Sequence, residues 1–325
     1  MIIVTGGAGF IGSALIAQLN ARQITDILVV DQLGTDRKWK NLRNLFFADY
    51  LEKNDLLDMI IDGKLDSPIE TIFHLGACSD TTEADASYLI KNNYEYTKLL
   101  AQWATNANIR FIYASSAATY GDGSAGFEDQ EENIDVLCPL NMYGYSKHAF
   151  DLWARRSGLL KSMVGLKYFN VYGPNEYHKG NMRSFIAKAF EQINADGKVR
   201  LFRSHEPDYT DGGQVRDFVY IKDAVDMTLF FFDNPHLNGL YNVGTGEART
   251  WNDLVIAVFV AMGIKPNIEY IDMPDSIRNQ YQYFTKADVS KLRNAGYDKQ
   301  TTPLEDAIKD YVQNYLKEDA YLTGI

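Results

Sequence analysis

"VTGGAGFIGSAL", residues 4–15, decides how the rest of the chain is read. Gly6, Gly9 and Gly12 stand three apart, after the apolar run "MIIVT" (1–5) and before an apolar-periodic stretch reaching about residue 22. Glycines so placed let a strand turn tightly into a helix. They bring backbone N–H groups close to a pyrophosphate, and the helix N-terminus adds a dipole that favours the anion. A second apolar run, "ILVVD" (27–31), ends on Asp31, where a carboxylate can accept a hydrogen bond from an adenosine ribose. That favours NAD. Arg37, Lys38 and Lys40 follow in "QLGTDRKWK" and could instead hold the 2′-phosphate of NADP, so the residues leave this choice open.

Outward from this turn, short apolar runs alternate with amphipathic stretches. "TIFHL" (71–75) and "RFIYASS" (110–116) read as buried strands, and "LFFADY" (45–50) as a further candidate. Helices are expected near 10–22, 53–62, 84–106 and 142–160, then a strand "VGLKYFN" (164–170). Strand–helix–strand repetition predicts an α/β fold, a Rossmann-type doubly wound parallel sheet. The texture then changes. Longer loops, "YGPNEYHKG" and "RSHEPDYTDGGQVRD", join helices near 181–195, 221–234, 251–262 and 303–317 with short strands "VRLF", "LYNVG" and "IEYI". The expected division is a dinucleotide-binding domain over 1–169, completed by segments near 215–245, and a smaller mixed α/β substrate domain over 170–325.

The chain has 325 residues, 46% hydrophobic and 23% charged, and a formal net charge of -11. An acidic surface repels phosphate backbones, which argues against nucleic acid as partner. No apolar run approaches a membrane span of roughly 20 residues, and the first residues lack a signal-peptide pattern. Cys78 and Cys138 lack metal-ligand spacing and suggest structural thiols in a reducing cytoplasm, with no metal site.

"NMYGYSKHAF" (141–150) places Tyr143 and Lys147 at i and i+4, on one helical face. A nearby ammonium, with the charge of an oxidised nicotinamide, is expected to favour the phenolate and make Tyr143 a general acid/base. Ser115 and Ser116 end "RFIYASS" at the carboxyl edge of the expected sheet, where ligands bind. A serine there can orient a substrate hydroxyl toward the tyrosine. Tyr145 has Ala149 as its i+4 neighbour and cannot supply the pair.

The glycine turn, Ser116 and Tyr143-x-x-x-Lys147, in this order, resemble the extended short-chain dehydrogenase/reductase family. "YFNVYGP" (168–174), "RDFVYIKDA" (216–224) and "YNVGTG" (241–246) are similar to its nucleotide-sugar enzymes. "GACSDTTE" (76–83), "YASSAATYG" (113–121), "YFNVYGPNEYHKGNM" (168–182) and "YQYFTKADVSKLRNAGYDK" (281–299) resemble, more narrowly, members that epimerise an ADP-heptose at C6 for lipopolysaccharide-core precursors. The resemblance implies a tightly held NADP, one per subunit, transient oxidation to a 6-keto sugar, hydride return to the opposite face, and a cytoplasmic homo-oligomer of pentamer type.

Residue by residue, it implies cofactor contacts from Gly6, Gly9, Phe10, Ile11, Gly12, Asp31, Gln32, Lys38 and Lys53. Leu75, Gly76, Ala77, Cys78, Ser79, Asn92, Lys147, Val171 and Lys179 extend that set. Tyr143 and Lys147 match the catalytic pair, with Ser116 beside them, and Lys179 a second acid/base. Ser116, Asn170, Asn181, Lys188, Phe202, Ser204, Arg216 and Tyr281 match substrate contacts. Gln32 stands where the family often has Asn, and Lys188 where some members have His. The loop over 203–215 is longer than the family's usual connection.

A second base suits an epimerase. If the ketone oxygen swings across when the carbonyl presents its other face, a proton donor is needed on that side. Two other readings stay open on the residues alone. One is a UDP-sugar 4-epimerase or related nucleotide-sugar oxidoreductase, which shares the same triad. The other is a non-enzymatic dinucleotide sensor, which has no use for it. A 4,6-dehydratase would carry an Asp-Glu pair where this chain has Ala117-Ala118.

Overall fold

A computed structural model describes residues 1–65, 68–278 and 281–324. The chain runs β1 (Ile2–Thr5), α1 (Phe10–Ala21), β2 (Ile27–Asp31), β3 (Asp49–Glu52), α2 (Lys53–Ile61) and β4 (Thr71–His74). Helix α3 (Ala86–Leu89) passes through a π-helical turn, Ile90–Glu95, into α4 (Tyr96–Asn106). Then come β5 (Arg110–Ser116), α5 (Met142–Arg156), β6 (Met163–Tyr168), β7 (Asn170–Tyr172), α6 (Phe185–Asp196) and β8 (Val199–Phe202). They are followed by β9 (Val215–Arg216), β10 (Phe218–Tyr220), α7 (Ile221–Asp233), β11 (Gly239–Val243), β12 (Arg249–Thr250), α8 (Trp251–Met262) and β13 (Ile268–Ile271).

Seven strands form one parallel sheet in the order β11-β6-β5-β4-β1-β2-β3. Strand order reverses between β1 and β4, and a crevice opens at such a switch point beyond the carboxyl ends of the strands. Apart from the edge strand β3, the sheet is buried on both faces, so most of its strands are apolar runs. Ile2 and Val4 enter one core while Ile3 enters the other, as the two-residue pleat requires. The first core continues through Val199, Leu201, Val258 and Phe259 to Ile308, so the later elements share it with the sheet.

Two strands differ from expectation. The apolar stretch 45–50 is not itself the edge strand, which begins at Asp49 and is set by pairing Leu28 with Asp49. The run 164–170 divides at Phe169. Its N–H still bonds the Val243 carbonyl of the large sheet at 3.0 Å, but Asn170 turns to the Asp217 carbonyl at 3.1 Å, and β7 pairs with β10.

The glycine turn joins β1 to α1 under tight steric limits. Gly6 has φ +68°, and a Cβ there would lie 2.6 Å from the Gly76 backbone. A Cβ on Gly12 would overlap the Gly6 carbonyl oxygen. Gly12→Ala is therefore expected to destabilise the protein by about 1–3 kcal/mol, the usual cost of overpacking. Denaturant unfolding beside the unmodified chain measures this, and unchanged stability would contradict the close approach.

Candidate active site

Two joined cavities, about 750 Å³ and about 150 Å³, occupy the switch point and share Gly6, Asp31, Lys38, Gly76, Ala77 and Cys78 in their walls. The glycine turn forms their floor. Gly9 caps α1 without a side-chain hydrogen bond, which leaves its first N–H groups available to an anion.

The smaller cavity gathers Asp31, Gln32, Lys38, Lys53 and Asn92. Asp31 Oδ2 accepts from Ala8 N–H at 2.9 Å, which ties the glycine turn to β2. Its Oδ1 accepts from Gln32 N–H and from Lys38 Nζ, both at 2.7 Å. Lys53, opening α2, donates to Asn92 Oδ1 at 2.7 Å. Burial pushes the Lys53 ammonium below its ordinary pKa, and the Lys38 charge pushes it further. Two half-buried cations facing one small cavity suit a bound anion.

Leu75, Gly76, Ala77, Cys78 and Ser79 cross the middle of the larger cavity. Asn93 fixes this loop: Oδ1 accepts from Cys78 N–H at 2.8 Å, and Nδ2 donates to the Cys78 carbonyl at 2.9 Å and Ser146 Oγ at 3.0 Å. Consecutive residues of the π-helical turn serve different walls, Asn92 toward Lys53 and Asn93 toward Cys78. Asn93 was not foreseen, although a pair of poor helix formers within a helical stretch was a signal.

Ser116, Tyr143 and Lys147 meet at the other end of the same cavity. The Asn141 side chain caps α5 by accepting from Gly144 N–H at 2.8 Å, which sets Tyr143 in the first turn. Burial raises the Tyr143 pKa, and a hydrogen bond with Ser116 opposes the rise. This departs from the expectation that Lys147 lowers it, because Lys147 Nζ instead donates to the Ala114 carbonyl at 2.9 Å. Burial lowers Lys147 to about 8. The phenolate therefore needs a further positive charge, and an oxidised nicotinamide fits that requirement.

Asn170, Val171, Lys179 and Lys188 line the same cavity from other elements. Lys179 Nζ lies 5.4 Å from the Phe10 ring centroid. Burial lowers its pKa and the Glu176 charge opposes this. Glu176 is fully buried and accepts from Ser184 N–H at 2.6 Å, Ser184 Oγ at 2.5 Å and Tyr311 OH at 2.9 Å. Asn175 Nδ2 donates to Ser13 Oγ at 3.0 Å, fastening this segment to α1.

The other expected substrate residues lie outside the cavity wall. Asn181 is exposed, and its carbonyl accepts from Lys188 Nζ at 2.6 Å. Ser204 bonds within its own loop to the Glu206 carbonyl at 2.8 Å. The Arg216 guanidinium lies 5.8 Å from the Trp251 ring and 5.3 Å from the Tyr281 ring, and Phe202 meets Tyr281 edge-on at 6.4 Å. Trp251 lines the cavity, so this cluster stands directly behind its wall. Trp251, Phe185 and Phe218 were not singled out from sequence. Their rings meet at 5.5 and 5.1 Å, as ordinary core aromatics would.

The glycine cradle, the uncapped helix end and the two cations beside Asp31 fit a dinucleotide along the crevice. Residues 2–244 match the model described as the NAD dependent epimerase/dehydratase family. The chain is 56% identical over 316 residues to an ADP-L-glycero-D-manno-heptose-6-epimerase of Nitratidesulfovibrio vulgaris, covering 97% of this chain and 98% of the relative. It is 47% identical over 332 residues to the protein of that name from Fusobacterium nucleatum, covering 99% and 100%. The solved Helicobacter pylori ADP-L-glycero-D-manno-heptose-6-epimerase aligns with a TM-score of 0.81 at 30% identity, over 96% of this chain and 95% of that one. With the fold, the glycine turn and these full-length relatives in agreement, the chain belongs to the NAD dependent epimerase/dehydratase family.

Proposed function

We propose that this protein inverts C6 of the heptose in ADP-D-glycero-D-manno-heptose, giving ADP-L-glycero-D-manno-heptose, with NADP as cofactor. The observation that carries the reading is one cavity walled by Ser116, Tyr143 and Lys147 and, from a different element, by Lys179. The names of relatives 44–56% identical over nearly the whole chain support the sugar and its carbon. Ala117-Ala118, in the turn after β5, offers no carboxylate for eliminating water and disfavours a dehydratase.

When bound, the dinucleotide supplies the acceptor for the C6 hydride and the donor for its return. The side chains manage protons and geometry. Ser116 orients the C6 hydroxyl, Tyr143 accepts its proton as the phenolate that the charge of a bound oxidised nicotinamide favours, and Lys147, anchored on the Ala114 carbonyl, holds a cation one helical turn away. After the ketone turns over, Lys179 gives a proton to the oxygen on the other side. Asn170, Lys188 and the Arg216–Tyr281 cluster hold the sugar nucleotide.

Lys38 and Lys53 favour NADP, since a 2′-phosphate between them would relieve their mutual repulsion. Large apolar side chains exposed on α4 and α5, namely Leu99, Met142 and Tyr145, support a homo-oligomer, with a pentamer implied by resemblance. Two free thiols, Cys78 and Cys138, accord with a cytoplasmic setting.

Single-turnover reduction of the bound nicotinamide, started from each epimer separately, tests the two-base arrangement. Tyr143→Phe should slow reduction about 10²–10⁴-fold from one epimer, and Lys179→Met from the other. Near-normal turnover in Lys179→Met would remove Lys179 from proton transfer. For the cofactor, Lys38→Ala with Lys53→Ala should weaken NADP relative to NAD by about 10–100-fold, the usual worth of a charged hydrogen bond. Equal losses for both dinucleotides would argue against a 2′-phosphate at this place.

A further inference from the structure

Beneath the catalytic strand lies an ion pair that the chemistry above does not use. Asp151 and Lys167 are both wholly buried, with Nζ to Oδ2 2.7 Å. Asp151 Oδ2 also accepts from Ser115 Oγ at 2.7 Å, and Oδ1 from Tyr113 OH at 2.9 Å. Lys167 donates to Thr119 Oγ1 at 2.7 Å and stands 5.1 Å from the Tyr120 ring. The Thr119 hydroxyl in turn donates to the Ser116 carbonyl at 2.8 Å. One pair thus joins α5, β6, the end of β5 and the turn after it. Buried ion pairs are commonly no more stabilising than apolar residues of the same volume, so the retained charges call for another reason.

Lys147 supplies that reason. Asp151 follows it by one helical turn on the same face of α5. The other groups facing Lys147 are Tyr143 on its own helix, His74 on β4, Cys78 on the loop after β4, and the Ala114 carbonyl on β5. Burial keeps the Tyr143 hydroxyl, the Cys78 thiol and the His74 ring uncharged at neutral pH. Asp151 is the one carboxylate in this set, and it shares its charge with Lys167.

We propose that Asp151, held in place by Lys167, is a positioning residue of the active site: it fastens α5 to the strand that ends at Ser116 and keeps Lys147 in its ammonium form. The consequence for turnover rests on the epimerase reading, whereas the charge on Lys147 does not.

Carbon-13 lysine labelling allows the Lys147 Cε resonance, assigned with Lys147→Arg, to be titrated by NMR without substrate. Two variants are compared with the unmodified protein. One is Asp151→Asn. The other is Asp151→Asn with Lys167→Met, which removes both charges of the pair and preserves the fold if the single change does not. In Asp151→Asn the Lys147 midpoint should fall by about one pH unit or more, and in the double variant by a smaller but measurable amount, since the Lys167 charge goes too. The basic limb of kcat/KM for ADP-heptose epimerisation should move down with it, and Asp151→Glu should restore both. An unchanged Lys147 midpoint in the folded double variant would reduce the pair to a structural bond and overturn the proposal. A protein that does not turn over the ADP-heptose while its Lys147 midpoint still falls would overturn the epimerase reading and leave this one standing.

Discussion

Gly6 lies against the backbone of Gly76 with no room for a side chain, and this close approach sets where every other part of the site stands. It draws the loop after β4 over the turn after β1. Hydrogen bonds then register the remaining walls to the same point. Asp31 grips the turn through Ala8 and holds Lys38; Asn175 grips α1 through Ser13 and so places the segment that carries Lys179. The nucleotide end and the reacting end are thus built on one short stretch of rigid backbone, as precise sites generally are.

The electrostatic arrangement runs against the protein as a whole. The chain carries a net charge of -11, yet Lys38, Lys53, Lys147, Lys179 and Lys188 all line the joined cavities. Burial lowers the pKa of four of them, Lys53, Lys147, Lys179 and Lys188. Partly dehydrated cations await anions, and a dinucleotide and a nucleotide sugar each bring a pyrophosphate. The acidic exterior disfavours other polyanions while the interior selects these.

Much of this was legible from sequence because it is local. The inner parallel strands are apolar runs, the glycine spacing specifies its own turn, and Tyr143 and Lys147 share a helical face. What was not legible depends on partners distant in the chain. The edge strand follows the backbone of β2 rather than its own apolar residues. The break at Phe169 exists because Asn170 finds Asp217; burial raises Tyr143's pKa, and Lys147 is drawn instead to the Ala114 carbonyl. Asn93, Trp251 and the Asp151–Lys167 pair look like ordinary helix or core residues until the fold brings their neighbours to them.

In the proposed epimerisation one hydride leaves C6 and returns to C6 without meeting solvent. Proton NMR of ADP-D-glycero-D-manno-heptose incubated with the purified protein in heavy water, with no cofactor added, tests it most directly. The expected result is conversion to the L-glycero epimer with the original hydrogen retained at C6. Deuterium appearing at C6 in the product, or no conversion by protein that carries its dinucleotide, would contradict it.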